Sequence, residues 1–565
     1  MERFLTALLG FGLAATAVAA PNYVESPPLR EVVSADVGSV RSGTLRVPMI
    51  TWGADVATIY ANGNAARTRN GSIFAEQGLS LELKREDSFP AQVEAYLRGE
   101  SPFLRGTMGM INLASEALAA DPRTRPVVIY QLSWSEGGDA LVVNDSIRQA
   151  ADLRGKRIAL QAYGPHVGYL SKVLADAGLS LNDVTIRWLP DLTATDSSPM
   201  AALQAGDVDA AFVVLPDALA LTSGGNVGTG AEDSVAGARI LLSTRTANRI
   251  IADVYAVRAD YLEANRAIVE RFVRGLLQAE EAVADLFGSK SGDYRQTLTT
   301  SAEMLLDSPQ ATTDIEGLYA DANLVGFSGN VDFFANANFP RGLARLTDEL
   351  QSSFQQAGLL STRSSLDQAG WDYDTLRSGL ARADEVEVPT FDADQVASVV
   401  ARRQQQGTLE EGTLFSFEVF FKPNQNSFPS DLYQEAFERV IDLASTYGGA
   451  IITVEGHSDP MGYLRKKKAG ESELILGRIK QSARNLSMSR AIAVRDSVMS
   501  FAQGQGINLD DSQFAVVGLG LTKPATGVCG DEPCAPKTET EWLSNMRVEF
   551  RIVQVEAESS VFQPL

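Results

Sequence analysis

Histidine, cysteine and positive charge are all scarce in this sequence. Its 565 residues include two histidines and two cysteines, and the formal net charge is −22. Nucleic acids and anionic lipids attract proteins through an excess of Lys and Arg, so the acidic balance excludes a chain-wide attraction to either. The sequence also lacks a Ser/His/Asp set, a metal-ligand cluster and a phosphate-binding loop with usable spacing. We therefore expect no nucleic-acid partner, no cofactor, no metal and no enzymatic activity.

Long apolar runs are missing outside the N-terminus. Residues 1–19 combine Arg3, an apolar run that ends at Val18, and small residues at Ala17 and Ala19, which is typical of a cleaved signal peptide. A membrane anchor is the alternative, but the run is shorter than the roughly 20 residues of a spanning helix. No later segment approaches that length, so we expect an exported protein with no integral membrane segment after cleavage. The predicted location is the periplasm of a Gram-negative envelope.

The two cysteines, Cys529 and Cys534, flank a short loop that reads Cys-Gly-Asp-Glu-Pro-Cys. In an exported protein, such a pair predicts a local disulfide. A cysteine pair without histidine neighbours is a poor metal site, which leaves the disulfide as the expected state.

The sequence is rich in a different pattern, in which short β-branched runs alternate with helical stretches from Thr44 to about Phe287. This alternation is typical of α/β layers with largely parallel strands. The predicted strands form two sets of four: Leu45–Ile50, Leu79–Leu83, Gly106–Ile111 and Val127–Leu132, then Arg157–Gln161, Val184–Trp188, Ala210–Leu215 and Arg239–Leu242. Ala140–Val143 leads out of the first set and Ala252–Val257 leads back, which indicates two lobes joined by two crossovers. We predict a two-lobed unit over residues 40–383, a charged and Gln-rich linker with a helical part over 384–411, and a smaller α/β domain over 412–555.

The C-terminal domain carries the most specific pattern in the chain. Its four segments are Ile452–Asp459 (Ile-Thr-Val-Glu-Gly-His-Ser-Asp), Leu486–Ala491 (Leu-Ser-Met-Ser-Arg-Ala), Gly518–Gly520 and Asn545–Glu549 (Asn-Met-Arg-Val-Glu). In that order they closely resemble the OmpA-like family, over roughly Phe415 to Val553. The resemblance implies non-covalent attachment to peptidoglycan, with the diaminopimelate of the stem peptide as the ligand.

The residues of these segments point independently to a zwitterion site. Asp459 follows an apolar strand and precedes Pro460, so we expect its carboxylate on a loop at the open end of the strand. Ser487 is predicted to cap a helix with Arg490 in its first turn, where the guanidinium and free helix N–H groups make a carboxylate site. A direct salt bridge between Asp459 and Arg490 is the alternative. The resemblance assigns the diaminopimelate centre to this pair, and adds Ser487, Asn545 and Arg547 from the matching motifs.

The chain departs from the family pattern at two places. Extra sequence containing Arg465–Lys468 separates the Asp459 and Ser487 segments, and Lys422 follows Phe421 where many members carry an Asp. The basic run predicts a solvated loop, and its alternative is contact with anionic glycan or lipid headgroups.

The N-terminal unit contains a second set of motifs. They are Gly137–Val143, Asp152–Ala159, Ala205–Ala211 and Ile251–Val254. They resemble the nitrate/taurine/sulfonate class of ABC-transporter substrate-binding proteins over about Leu45 to Ala284. The resemblance implies a two-lobed periplasmic-binding-protein fold, followed here by the smaller α/β OmpA-like domain. It also implies a small-molecule solute and an ABC-type permease as partners.

Ligands of open α/β sheets bind beyond the carboxyl ends of the strands. The candidate contacts are therefore residues that follow predicted strands: Trp52, Asn112, Ser115, Gly164, Pro165, His166 and Asp217. Gly164-Pro165 predicts a helix start whose N–H groups face the cleft, so an anionic ligand group is expected there, with a purely structural helix as the alternative. Trp52 predicts either stacking on a flat or cationic ligand or core packing. His166 predicts a hydrogen bond to the ligand or a pH sensor.

The combined pattern favours a solute receptor tethered to the cell wall for ABC-type uptake or sensing. The alternative is a structural wall anchor whose receptor-like module has lost ligand binding or binds a protein partner. That alternative accounts for the C-terminal domain but leaves the two-lobed unit without a use.

Overall fold

A computed structural model describes residues 21–231, 234–383, 393–406, 413–421 and 428–553. The predicted signal peptide lies outside the described residues, as do Lys422 and the parts of the predicted linker on either side of 393–406. Among the described helices, each falls short of the length and apolarity that crossing a membrane requires.

The strands are numbered in chain order. They are β1 (Leu45–Met49), β2 (Leu81–Arg85), β3 (Phe103–Thr107), β4 (Pro126–Ser135), β5 (Asp139–Val143), β6 (Arg157–Gln161), β7 (Thr185–Leu189), β8 (Ala210–Val214), β9 (Arg239–Ser243), β10 (Ala252–Arg258), β11 (Ala322–Leu324), β12 (Asp367–Gln368), β13 (Thr413–Phe420), β14 (Ile451–His457), β15 (Phe514–Gly520), β16 (Val528–Cys529), β17 (Glu532–Pro533) and β18 (Arg547–Val553).

The α-helices are numbered in the same way. They are α1 (Leu29–Val32), α2 (Asp55–Ala61), α3 (Ile73–Glu76), α4 (Phe89–Leu97), α5 (Met108–Leu118), α6 (His166–Asp176), α7 (Pro199–Gln204), α8 (Leu215–Leu221), α9 (Ala259–Ser289), α10 (Tyr294–Leu306), α11 (Thr312–Ala320), α12 (Gly326–Ala335), α13 (Leu343–Gln356), α14 (Tyr373–Arg377), α15 (Ala393–Gln406), α16 (Ser430–Thr446), α17 (Met461–Lys468), α18 (Glu473–Gly504) and α19 (Glu539–Ser544).

The strands of the N-terminal unit form two lobes, which confirms the predicted fold class. In the first lobe β11, β4, β10 and β3 pair in that order, β12 joins β4, and β1 runs parallel to β2. In the second lobe the order is β7-β6-β8-β5-β9. The chain passes between the lobes where β4 leads to β5 and where β9 leads to β10. These crossover strands are antiparallel to their neighbours, so the sheets are mixed and less parallel than the pattern predicted.

One predicted strand was wrong. Gly106–Ile111 was expected to be extended, but β3 ends at Thr107 and α5 begins at Met108. The Thr107 hydroxyl accepts a hydrogen bond from the Met110 N–H at 3.2 Å, which caps the helix. The cap at Thr107 therefore starts a helix in an apolar run that was expected to form a strand.

The described part of the predicted linker is a helix packed on the C-terminal sheet. In α15, Val396, Val399 and Val400 are buried and cluster with a face of β14 and β15 that includes Ile451 and Val517. The i, i+3, i+4 spacing of the three valines places them on one side of the helix. This helix therefore contributes to the core of the C-terminal domain.

The C-terminal sheet has the order β13-β18-β14-β15. Only the β14–β15 pair is parallel among the pairs of this sheet within the described residues. The helix α18 packs on β14 and β15 at three glycines, Gly456, Gly518 and Gly520. A Cβ at Gly456 would lie 2.0 Å from the Ser487 carbonyl oxygen, so only glycine permits this approach.

The C-terminal domain docks on the second lobe through buried charges. The Lys172 ammonium of α6 lies 3.0 Å from Asp176 Oδ1 and 2.8 Å from Asp442 Oδ2 of α16. Asp176 also accepts from the Arg439 guanidinium at 3.0 Å and the Tyr447 hydroxyl at 2.8 Å. These partners come from both domains, so the charges join α6 of the second lobe to α16 of the C-terminal domain.

Lys172→Met is expected to lower the free energy of unfolding by about 1–3 kcal/mol, because Asp176 and Asp442 each lose a buried donor. Urea unfolding of the full chain measures the change. Lys84→Met is the control, since Lys84 pairs with Glu86 at an exposed site and its side chain is 55% accessible; a change within about 0.5 kcal/mol is expected there. Equal effects of the two substitutions would contradict a stabilising contact between the domains.

Candidate functional site

The first candidate site is the cleft, the region between the lobes at the carboxyl ends of β1, β6 and β8. Trp52 follows β1, and its indole Nε1 donates to the Ser133 hydroxyl at 3.0 Å. A Cβ at Gly138, in the turn between β4 and β5, would lie 2.6 Å from the ring carbons of Trp52. The half-buried Trp52 ring therefore packs directly against the backbone of the first crossover.

The lobes also touch through two glycines that sequence reasoning missed. Gly109 lies in the first turn of α5 and Gly168 in the first turn of α6. A Cβ at Gly109 would lie 3.5 Å from the Gly168 Cα. Small residues near both helix starts were the available signal, because such residues permit close helix contacts.

His166 is the first residue of α6 and is fully buried. Its Nε2 lies 2.7 Å from Asp139 Oδ1, and Asp139 Oδ2 accepts from the Ser135 hydroxyl at 2.6 Å. Since the carboxylate accepts, Nε2 carries a proton. The Nδ1 atom of His166 is buried without a hydrogen-bond partner.

Asp217 lies in the first turn of α8, directly after β8. Its Oδ2 is also buried without a partner. Burial raises the pKa of Asp217, while Thr193 and the nearby His166 oppose that rise. His166 and Asp217 therefore each keep one buried polar atom without a hydrogen-bond partner.

Two further cleft residues come from distant parts of the chain. Burial raises the pKa of Asp321 to about 6, Arg245 opposes the rise and Asp139 adds to it. The Asp321 carbonyl accepts from the Glu136 N–H at 2.8 Å, which brings the segment before β11 to the first crossover. No local sequence signal marks Asp321 or Arg245, because only the tertiary fold brings them together.

Four predicted cleft contacts have other surroundings. Asn112 and Ser115 lie inside α5, where both face the Gln351 amide nitrogen of α13, at 2.9 and 3.3 Å. Their predicted position after a strand was wrong because β3 ends earlier. A Cβ at Gly164 would lie 2.4 Å from Gln161 Oε1, so this glycine faces its own strand end. Pro165 is the residue directly before α6.

The second candidate site lies at the end of β14. Asp459 follows this strand on a short turn, and its Oδ2 accepts from the Met461 N–H at 3.1 Å. Its Oδ1 is buried without a partner. Burial raises the pKa of Asp459, and the Met461 N–H, the Trp542 side chain and the charge of Arg465 oppose that rise.

Arg490 lies in α18, one turn after Ser487, whose carbonyl oxygen packs against Gly456 of β14. Its Nε is buried without a hydrogen-bond partner, and burial lowers the pKa of the guanidinium. Among the described residues, Asp459 and Arg490 make no ion pair with each other. The alternative of a direct salt bridge is therefore not the arrangement found.

The predicted helix cap at Ser487 was wrong. The helix α18 begins at Glu473, so Ser487 and Arg490 lie in its interior and no free helix N–H groups flank the arginine. The preceding residues are mostly good helix formers and extend the helix by several turns. The Ser487 hydroxyl instead accepts from the Gly520 N–H at 2.9 Å and donates to the Arg484 carbonyl, which fixes α18 against β15.

Asn545 and Arg547 lie beside the second site with structural partners. The Asn545 side chain bonds to Thr526 of the loop before β16. Arg547 is buried and lies 2.6 Å from Glu418 on β13. Neither residue contacts Asp459 or Arg490 through a bond found among the described residues.

Three buried side chains behind this site, Glu455, His457 and Glu549, bring potential metal-ligand atoms within 4.8 Å of one another. The guanidiniums of Arg551 and Arg547 already pair with these carboxylates. Burial lowers the pKa of His457 to about 3, and the Arg547 charge adds to this. The cluster is therefore charge-balanced, and two guanidiniums oppose a further cation.

The extra basic sequence is helical, so the predicted loop was wrong. Arg465–Lys468 form the last turn of α17, where cations are favoured by the helix dipole. Lys466 pairs with Glu471 at 3.1 Å, and Lys467 pairs with Glu532. Glu532 belongs to the β16–β17 hairpin, whose Cys529 and Cys534 are joined by a disulfide with Cα atoms 5.0 Å apart.

Comparison with known proteins finds relatives of the N-terminal unit. The sequence model of the family described as NMT1/THI5 like matches residues 70–285. The taurine-binding periplasmic protein of Escherichia coli (strain K12) is 29% identical over 209 residues. That match covers 36% of this chain and 58% of the relative, so it spans little more than half of the relative's length.

Solved structures with a similar fold include two binding proteins. The alkanesulfonate-binding protein SsuA from Xanthomonas axonopodis pv. citri, bound to MOPS, is 20% identical with a TM-score of 0.39, over 58% of this chain and 97% of that one. The periplasmic aliphatic sulphonate-binding protein SsuA from Escherichia coli is 17% identical with a TM-score of 0.40, over 62% of this chain and 96% of that one. The curated relative is by its name a binding protein.

Proposed function

We propose that this protein is a periplasmic solute receptor tethered non-covalently to peptidoglycan. The N-terminal unit binds a small solute between its lobes, and the C-terminal domain binds the diaminopimelate of the stem peptide. The receptor serves uptake through an ABC-type permease or serves sensing at the wall.

The tether is supported by one unpartnered polar atom on each of two oppositely charged side chains. Asp459 Oδ1 and Arg490 Nε are both buried without hydrogen bonds, although each belongs to a charged side chain. An unpaired and partly desolvated charge costs free energy, which a ligand with complementary charges recovers. A zwitterionic amino-acid centre offers an ammonium for Asp459 and a carboxylate for Arg490. This is the observation that carries the wall-binding half of the proposal.

The receptor half is supported by the two lobes, their two crossovers and the named relative. The relative that is named for taurine favours a small organic solute, and taurine itself carries both a sulfonate and an amine. Polar groups from both lobes and from the crossovers, including His166, Asp217 and Trp52, lie at strand ends, where ligands of such sheets bind. Two crossovers permit hinge closure around the solute.

A structural wall anchor without solute binding is the second candidate. The observation that favours it is the close packing within the cleft, where the Trp52 ring would lie 2.6 Å from a Cβ placed at Gly138 of the first crossover. The two candidates differ in whether any solute stabilises the protein.

Solute binding is expected to raise the free energy of unfolding by about 2.7 kcal/mol when the free solute is at about 100 times its dissociation constant. Gly109→Leu is expected to weaken binding about tenfold or more, because the added side chain separates α5 from α6 where the lobes touch. Thermal shift against a library of small solutes, followed by calorimetry, measures both effects.

Gly288→Leu is the matched control, since a Cβ at this helical glycine meets nothing within 4 Å. Affinity that is unchanged in Gly109→Leu would contradict closure at this contact. A library in which no solute stabilises the wild type would favour the structural anchor.

A further inference from the structure

A turn of the C-terminal domain contacts the second crossover of the receptor, the segment 244–251 that leads from β9 to β10. This docking turn spans residues 446–450, from the last residue of α16 to the residue before β14. The Gly449 N–H donates to the Thr246 carbonyl oxygen at 3.1 Å, and the Arg249 N–H donates to the Thr446 carbonyl oxygen at 3.3 Å. The two domains therefore share a pair of backbone hydrogen bonds at this crossover.

Two glycines of the docking turn permit this contact. A Cβ at Gly449 would lie 1.8 Å from the Arg245 carbonyl oxygen, and a Cβ at Gly448 would lie 2.7 Å from Asn248 Oδ1. Neither glycine has a positive φ, so the conformation of the turn does not itself require glycine. The close approach of the second crossover excludes a side chain at both positions.

The second crossover is bonded in turn to the first crossover. The Thr244 hydroxyl accepts from the Gly137 N–H at 3.0 Å and from the Asp139 N–H at 3.1 Å. The Asn248 amide nitrogen lies 3.5 Å from Glu136 Oε1. A hinge motion of the lobes must bend these two crossovers. The docking turn therefore contacts the hinge itself, and not only the surface of one lobe.

Two buried cations extend the contact around the hinge. Lys172 of α6 lies 2.8 Å from Asp442 of α16 and 3.7 Å from Glu349 of α13. The Arg341 guanidinium pairs with Glu349 at 3.0 Å and donates to the Arg249 carbonyl oxygen at 2.9 Å. The helix α13 is also hydrogen-bonded to α5 of the first lobe. The C-terminal domain is therefore joined to the second lobe, to the second crossover and, through α13, to the first lobe.

The lobes are in contact in this docked arrangement, through Gly109 of α5 and Gly168 of α6. A change in the angle between the lobes alters the course of the crossovers, and with it the positions of the Thr246 and Arg249 backbone groups. Docking therefore has a different free energy in the closed and open arrangements, which is what coupling requires.

We propose that the docked C-terminal domain braces the hinge and stabilises the closed arrangement of the receptor. The inference rests on the proposed receptor function and specifies its regulation. Because coupling between two sites is reciprocal, a solute that closes the lobes also strengthens the docking. The wall site at Asp459 follows the opposite end of β14, so the brace and the wall contact can form at the same time.

The test detaches the docking turn in the full-length protein. Gly449→Leu places a side chain where the Arg245 carbonyl oxygen lies. Gly477→Leu is the matched control, since a Cβ at this glycine of α18 meets nothing within 4 Å. The separation of the lobes is measured without any solute, as the distance between spin labels on Lys84→Cys in the first lobe and Asp196→Cys in the second, both at exposed positions.

In Gly449→Leu the mean distance between the labels is expected to increase, whereas Gly477→Leu should keep the wild-type distance. Hydrogen exchange at the Arg249 amide should become at least about tenfold faster, because its acceptor in the docking turn is lost. Taurine is the solute probe, and calorimetry is expected to show that it binds Gly449→Leu about tenfold more weakly than the wild type.

The outcomes separate this inference from the function on which it rests. An unchanged distance between the labels in Gly449→Leu overturns the brace while the receptor function stands. Lobes that open while taurine binds as tightly as in the wild type overturn the coupling between docking and solute binding. If the solute library stabilises nothing but the lobes still open in Gly449→Leu, the receptor function fails and the brace on the hinge stands. If Gly449→Leu does not fold, Gly448→Ala takes its place, because a single methyl group there already lies too close to Asn248.

Discussion

Arg105→Met is expected to lower the free energy of unfolding by about 3–5 kcal/mol, the usual result of removing one partner from a buried ion pair. The Arg105 guanidinium is 0% exposed and lies 2.9 Å from Asp55 Oδ2 and 2.8 Å from Asp253 Oδ1. These contacts join β3, α2 and β10 behind the cleft. Without the guanidinium, two carboxylates remain in the interior with no counter-charge. Urea unfolding followed by circular dichroism measures the loss.

The same variant is expected to show a characteristic pH dependence. Burial raises the pKa of Asp55 to about 7 and also raises the pKa of Asp253, and Arg105 opposes both rises. Removing Arg105 raises both further, so the folded state binds more protons than the unfolded state above the ordinary Asp pKa of 3.8. Stability then falls as the pH rises. The deficit of Arg105→Met should be small near pH 4 and largest above pH 7.

Two comparisons distinguish unpaired charge from lost packing. Adding Asp55→Asn and Asp253→Asn to Arg105→Met removes the stranded charges and should recover a large part of the stability. Arg123→Met breaks an exposed pair between Arg123 and Asp121, in which the Arg123 side chain is 51% accessible, and should leave the free energy of unfolding almost unchanged. A triple variant as unstable as Arg105→Met at every pH would mean that packing, and not charge, explains the loss.

Much of the architecture could be predicted because buried strands leave a strong local signal. The predicted Arg157–Gln161 coincides with β6, and the two crossovers were predicted at β5 and β10. These strands consist of short β-branched or apolar runs bounded by polar turns, so few alternatives fit them. For β5, β6 and β10, the element type and position therefore followed from local pattern alone.

The errors arose where a single side chain or a longer context decided the structure. The hydroxyl of Thr107 begins a helix inside an apolar run that also suits a strand. Ser487 resembles a cap, but the helix-forming residues before it place it within α18. At Thr107 the helix and strand preferences differ by little, and at Ser487 so do the preferences for a helix start and a helix interior. The neighbouring residues and elements determine which conformation forms.

The two candidate sites differ in how far the sequence could predict them. Asp459 and Arg490 stand in motifs with defined spacing, so both were predicted, although the surroundings of Arg490 were not. In the cleft, His166 and Asp217 followed from the rule for strand ends. Asp321 lies between α11 and β11 and is brought to the cleft by the pairing of β11 with β4. That pairing joins residues almost 200 positions apart, as Ala322 pairs with Ser135, and no local pattern reports it.

Asp459→Ala and Arg490→Ala are each expected to abolish most of the sedimentation of the full-length protein with sacculi of the diaminopimelate type. Truncating one partner of a desolvated charge pair costs about 2–5 kcal/mol of binding, which is roughly thirtyfold or more in affinity. Each single variant leaves one charge of the diaminopimelate centre unpaired, so both variants should lose sedimentation with sacculi to a similar extent. The measurement is the pelleted fraction at increasing amounts of sacculi, with circular dichroism to show that each variant folds.

The same helix supplies the matched controls for this experiment. Asp496→Ala and Arg478→Ala remove one charge of each sign from exposed positions of α18, and both should pellet like the wild type. Free diaminopimelate should compete with pelleting, because it presents the same zwitterionic centre, whereas free alanine amide, which lacks the carboxylate for Arg490, should compete far less. If Asp459→Ala and Arg490→Ala pellet like their controls, the two unpaired charges serve another ligand and the tether lies elsewhere. If Arg490→Ala loses pelleting and Asp459→Ala does not, the site recognises a carboxylate without the ammonium. The zwitterion assignment is then wrong, although the domain still binds the wall.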